Sequence, residues 1–231
     1  MAERGARRAV WDLRYEVPLS DSDSPWQKLN GRFVIPDEYK VRLTVGDRVH
    51  TSPLTVRMDP AVQVVANHHR RALENTLALQ AQLLTATHHV GKAVDASIEQ
   101  TEALLEIMNG MPTNAPLAQE VRAAAEEAGR LKVALRGEEL GTAQQETYLP
   151  LADLALRLYR ITESWTGSPG DEKRRLTRVA HRDMEKLLTE LRLFLSGTLP
   201  ALKRNVEAAD FTWPADELPE TLPDGMIPAY Q

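Results

Sequence analysis

The chain has 231 residues, 28 Lys+Arg against 33 Asp+Glu and a formal charge of -5, with 42% hydrophobic residues and no cysteine. The absence of cysteine excludes a disulfide scaffold, a thiol nucleophile and any Cys-ligated metal or cluster. The mild acidity argues against nucleic acid as the main partner, because phosphate binding is driven by clustered cationic charge. No apolar run is long enough to span a membrane, and Met1 to Val10 lacks the apolar core of an export signal.

Aromatic residues divide the chain. Trp11, Tyr15, Trp26, Phe33 and Tyr39 fall in the first 60 positions, whereas Tyr148, Tyr159, Trp165 and Phe194 are spread through the long Ala/Leu-rich middle. Three segments follow: a β head over 1–59, helices over 60–209 and a Pro-rich extended tail over 210–231. Within the head, Arg8 to Tyr15 alternates as a strand does, and Arg32 to Ile35 is a short apolar run before Pro36. Tyr39, Val41, Leu43 and Val45 share one face of a second alternating run. Gly46-Asp47 then supplies a turn into a further strand over 49–58, so 39–58 is expected to form a hairpin. Pro53 places part of that strand at an edge or bulge. So few strands bury little and need a second layer. Either the head is part of a sandwich or the helices and tail cover it.

From Asp59-Pro60, a cap followed by a first-turn proline, the period becomes helical. Residues 61–109 predict one helix, roughly 70 Å long if unbroken. Pro116 to Arg136 is a second helix. Leu149 to Trp165 is a third, with Thr147 as its cap and Leu151, Leu154, Ala155, Leu158 and Ile161 facing inward. Asp171 to about Leu195 is a fourth, with Leu176, Val179, Met184, Leu187, Leu188, Leu191 and Leu195 inward. Thr198 is read as capping a restart over Leu199 to Ala208. The fold class expected is α+β, mostly α: a small antiparallel β head, read as a partial Ig-like sandwich, followed by an elongated antiparallel bundle of about four helices. The second and third helices are expected to fold back and forth on the distal half of the first. The fourth would then return to bring Phe211 and Trp213 to the head.

Taken together, Val10-Trp-Asp-Leu-Arg-Tyr15, Ile35-Pro-Asp-Glu-Tyr-Lys-Val-Arg-Leu-Thr-Val45 and Pro53-Leu-Thr-Val-Arg-Met-Asp-Pro60 running into a helix resemble a known family. They are similar to the C-terminal region of bacterial sortilin-like β-propeller proteins with BNR (Asp-box) repeats, classed as glycosyl-hydrolase-like. Thr198-Leu-Pro-Ala-Leu-Lys-Arg-Asn205 extends the likeness to about residues 8–209. Departures are Asp37-Glu38 in place of Gly-Thr and Ala61 in place of Arg. The resemblance implies an Ig-like (FlgD-like) sandwich whose first strands, like the propeller, are absent from this chain. It also implies a partner, a propeller or Ig-like chain that completes the sheet, and an exported setting, although no signal is recognised. Trp11, Asp12, Arg14 and Tyr39 are the residues singled out for interaction.

No catalytic constellation stands out. Asp21 to Trp26 echoes an Asp-box without its Gly and Thr. Glycoside hydrolysis needs two carboxyls across one bond, but Glu102, Glu106, Glu126, Glu127, Asp183 and Glu185 have solvated-face spacing. His68-His69 and His88-His89 are about 30 Å apart along one helix. With His50 or His181 they match no metal spacing. Lys173, Arg174, Arg175, Arg178 and Arg182 read as a salt-bridged surface. No catalytic residue, metal or cofactor is therefore expected. Two functions remain: a non-catalytic accessory module that docks by its β head and presents a helical stalk, or a component of a glycosyl-hydrolase-like propeller enzyme whose active site lies outside this chain. Self-association is a third possibility, although Gln80, Thr87 and Thr101, with His69, make a poor coiled-coil seam.

Overall fold

The computed structural model describes residues 8–18, 29–58, 67–109, 115–138, 149–163 and 170–215. The expected caps Asp59-Pro60 and Thr147, the Asp21 to Trp26 loop, the side chains of His68 and His69, and Trp165 lie outside them, as does most of the tail. The fold is α+β and mostly α. A two-stranded antiparallel sheet precedes four helical segments, the last of which continues through a wide turn.

The hairpin is the one expected. Strands β1 (Glu38–Val45) and β2 (Arg48–Thr55) pair without a bulge, Val45 opposite Arg48 and Tyr39 opposite Leu54. Gly46 takes φ +56° at the first turn position, which suits a II′ turn between right-twisted strands. The Val56 N–H donates to the Asp37 carbonyl, and this sets the phase of the ladder. Tyr39, Val41, Leu43 and Val45 exchange hydrogen bonds with β2, whereas Lys40, Arg42 and Thr44 turn their backbone groups outward. Pro53, opposite Lys40, therefore has its missing N–H on the outer edge of β2, where it breaks no bond of the hairpin.

The expected strand over Arg8 to Tyr15 is not formed, and Arg32 to Ile35 is not a strand either. A single bridge joins Arg14 and Phe33. Asp12 Oδ1 accepts from the Arg14 N–H at 3.1 Å, and Trp11 Nε1 donates to the Arg14 carbonyl at 2.9 Å. These local bonds compete with extended pairing and turn the chain at Leu13, whose φ is +60°.

Helix α1 (Asn67–Asn109) spans the molecule, about 64 Å at the usual rise. α2 (Ala115–Arg136) packs antiparallel to it, with Arg136 bidentate to Asp95 at 2.5 and 2.8 Å. It ends at Gly137, whose N–H returns to the Val133 carbonyl. α3 (Leu151–Glu163) starts beside that end and runs on in the same direction, so α2 and α3 lie in tandem. α4 (Asp171–Leu193), a π turn (Phe194–Thr198) and α5 (Leu199–Ala208) then run back along α1 as one continuous helix.

This corrects the expected arrangement. Among the described residues the bundle has three helical passes, α1, then α2 and α3 in tandem, then α4 with α5, rather than a four-helix end and a thin stalk. With an odd number of passes the end of α5 and the residues up to Ala215 lie far from the head. There Asn205 bonds Glu120 near the start of α2, and Trp213 is buried with Phe211 packed beside it. The turn after α5 is closed by the Phe211 N–H to the Val206 carbonyl and the Asp210 N–H to the Glu207 carbonyl, with Asp210 left-handed at φ +62°.

Two further expectations fail locally. Thr198 does not cap a restart: it is helical, with no side-chain capping bond. The helix widens instead, the Leu199 N–H reaching the Phe194 carbonyl, just before Pro200. A regular turn there would drive the proline ring at the Ser196 carbonyl. Ile161 is not inward but 45% exposed, and Thr162 holds the buried position. Thr162 Oγ1 donates to Gln80 Oε1 at 2.6 Å, and Gln80 Nε2 donates to Thr177 Oγ1 at 3.0 Å. A hydrogen-bonded polar layer thus crosses all three passes, in which an isoleucine would strand Gln80. Gln80, Thr87 and Thr101 are buried within this single bundle.

His181 lies near this layer, 5% exposed, with Nδ1 3.6 Å from Glu185 Oε2. Burial lowers its pKa below the usual value, and the Glu185 carboxylate offsets part of that. The folded chain therefore resists a proton that the unfolded chain accepts near pH 6.5. Stability is fully present above that pH and declines as pH falls through it, levelling off below the folded-state pKa. Urea midpoints measured from pH 8 to pH 5 should fall more steeply for the native chain than for His181→Gln; parallel curves would refute this.

Candidate functional site

The surface that stands out is in the head, and its placement begins with residues the sequence does not advertise. Leu29 is buried with Leu84 and Tyr159, and Ile35 with Leu73 and Leu77. Segment 29–35 therefore lies against α1 and α3. Tyr159 Oη donates to the Asn30 carbonyl at 2.9 Å, and the Asn30 N–H donates to Glu163 Oε2 at 3.1 Å. Burial raises the Tyr159 pKa, so the phenol stays protonated as this donor.

Onto this segment the N-terminal residues fold. The Tyr15 N–H donates to the Arg32 carbonyl and the Val34 N–H to the Leu13 carbonyl, each at 2.9 Å. Arg14 is the tie between parts of the fold. Its Nη1 donates to the Gly31 carbonyl at 2.5 Å and to the Glu163 carbonyl at the end of α3 at 3.0 Å, with the guanidinium 3.8 Å from the centre of the Phe33 ring. Arg32 lies over Tyr15 in the same way at 4.8 Å, and burial lowers its pKa against the opposing influence of Tyr15, Tyr159, Tyr39 and Glu74.

The four residues singled out from sequence meet in one place. Trp11 and Tyr39 stack edge to face at 6.0 Å, Tyr39 Oη donates to the Ile35 carbonyl at 2.6 Å, and Asp12 shapes the turn that presents Arg14. Arg14 and Asp12 thus hold the head in place, while Trp11 joins its apolar surface. Sequence reasoning missed Asn30, Gly31, Tyr159 and Glu163. No local pattern marks them, since each acts through a residue distant in sequence.

That surface continues along the hairpin. Val41, Leu43 and Val45 are 49%, 59% and 62% exposed on the face shared with Tyr39, His50 and Leu54. Neither a helix nor another strand covers it among the described residues.

Elsewhere the polar groups do not converge. Among the described residues no group of three or more His, Asp or Glu is placed to hold a metal ion. His88 and His89 touch edge to face, and His50 and His181 lie on separate elements. The basic opening of α4 is laced by ion pairs, Arg174 with Asp171 and Arg175 with Glu172. The latter contact lowers the Glu172 pKa. A cleft of about 360 Å³ lies where α2 meets α3, floored by Val133, Leu151, Leu154 and Leu187 under the surface charges of Asp183 and Lys186. No helix among the described residues is long and apolar enough to cross a membrane.

The chain matches no protein-family model, no curated protein and no solved structure. Geometry and residue chemistry therefore carry the functional reading.

Proposed function

We propose that this protein is a non-catalytic interaction module: the β head docks on a partner chain that completes its sheet, and the helical bundle is the stalk it presents. The observation that carries this reading is the exposed apolar face of Val41, Leu43 and Val45. A two-stranded hairpin is marginal without a covering layer. Fully burying each such side chain is worth about 1.5–3 kcal/mol, so covering this face is a strong drive to associate. The docking of 29–35 on α1 and α3 and the Arg14 tie to Glu163 supply a rigid base for that face. The likeness of the head to sortilin-like propeller proteins supplies the partner class, a propeller or Ig-like chain.

The test is co-purification from the native host with the tagged chain and its Leu43→Asp variant, followed by reconstitution with the purified partner. Leu43 is exposed, so the variant should fold. It should bind roughly tenfold more weakly or worse. Equal binding by both chains, or a stable monomer with no complex on mixing, would sink the proposal.

A further inference from the structure

The two outer edges of the hairpin differ. The outward-facing residues of β2 are Val49, Thr51, Pro53 and Thr55, and Pro53 removes an N–H from the middle of that edge. On β1 the outward groups begin at Glu38, whose N–H is taken by Asp37 Oδ1, and continue through Lys40, Arg42 and Thr44 in an unbroken row of three. All three residues are exposed, and their outward N–H and C=O groups meet no partner among the described residues. A strand added to this hairpin thus has one continuous edge to pair with, and it is β1.

The side chains along that edge state what the added strand must carry. Val41 and Leu43 lie on one face, Lys40 and Arg42 on the other. Residues directly opposite one another share a face, and opposite charges there stabilise while like charges repel. We infer that β1 takes up an extended segment of another chain in which apolar residues alternate with carboxylates. The apolar residues would continue the Val41–Leu43 face, and the carboxylates would meet Lys40 and Arg42. This inference rests on the docking role proposed above and names the edge and the partner chemistry.

A second copy of β1 fits poorly. The two antiparallel registers with the longest overlap centre on Val41 or on Arg42. The first sets Lys40 against Arg42 of the other copy, and the second sets the two Arg42 side chains against each other. Pairing between copies is disfavoured by charge on the same face that favours an acidic strand.

The test uses the full chain with two synthetic peptides, one of alternating Val and Glu and one of alternating Val and Lys. Binding is followed by fluorescence anisotropy and amide hydrogen exchange. The Glu peptide should bind and slow exchange at Lys40, Arg42 and Thr44, leaving Thr51 and Thr55 unchanged. Lys40→Glu combined with Arg42→Glu should weaken that peptide roughly tenfold and bind the Lys peptide instead. Arg42→Pro, which gives β1 the defect Pro53 gives β2, should abolish binding.

Protection at Thr51 and Thr55, equal binding of both peptides, or concentration-dependent protection of β1 without peptide would each overturn the inference and leave the docking role standing. No peptide binding, with Leu43→Asp still losing the native partner, would overturn strand addition alone. No peptide binding, with Leu43→Asp harmless, would overturn both.

Discussion

Phe194→Ala is expected to lower the unfolding free energy by about 3–5 kcal/mol, the largest single effect in the bundle. Phe194 is fully buried and opens the π turn, with Leu191, Leu195 and Leu199 in the same core. Its backbone is fixed from both sides: its N–H returns to Glu190 and Leu191, and its carbonyl accepts from Leu199. The helix cannot easily slide to fill the space, so most of the cavity should persist. Leu193 is its neighbour and two-thirds exposed, so Leu193→Ala should cost no more than about 0.5 kcal/mol. Urea unfolding of both variants checks this. A loss below about 1 kcal/mol for Phe194→Ala would mean that the wide turn is not packed as described.

Gly31→Ala is expected to detach the N-terminal segment from its base while the bundle remains folded. A Cβ at Gly31 would lie 1.7 Å from the Tyr15 carbonyl oxygen and 2.8 Å from its carbon. Both are backbone atoms, so no side-chain rotation relieves the clash. The bonds from Tyr15 to Arg32, from Val34 to Leu13 and from Arg14 to Gly31 must open together. At about 0.5–1.5 kcal/mol each, the three amount to about 1.5–4.5 kcal/mol of local opening free energy. Hydrogen exchange at Tyr15 and Val34 should accelerate accordingly, with the amides of α2 unchanged. Native protection at those two amides would show that the approach is looser than described. Such a detached segment would also remove Trp11 from Tyr39, and so reduce the apolar surface of the head.

The hairpin and the helices were legible because their signals are local. Gly46-Asp47 between two alternating runs fixed the turn, and the register followed from it. The end of α1 at Asn109 and the span of α2 follow the helical period up to its breakers. Arg8 to Tyr15 carried the same alternation and failed, because Asp12 and Trp11 bond the backbone at Arg14 and turn the chain. Ile161 and Thr162 reversed the order of hydrophobicity because Gln80, far along the chain, needed a donor at that point. Trp11, Asp12, Arg14 and Tyr39 were singled out only for interaction; that they meet in one place, and that two of them hold the head against α3, had no local signal.

By itself, the sequence determined the hairpin with its turn and the spans of the helices, since propensity, periodicity and turn chemistry act over a few neighbouring residues. It also determined the apolar alternation that gathers Val41, Leu43 and Val45 on one face of the hairpin. Tertiary structure alone decided that α2 and α3 run in tandem, so that three passes place Trp213 far from the head. It alone decided that Arg14 meets Glu163, and that no helix or further strand among the described residues covers the face of Val41, Leu43 and Val45. Those outcomes depend on contacts between residues distant in the chain, whose energies no local pattern contains.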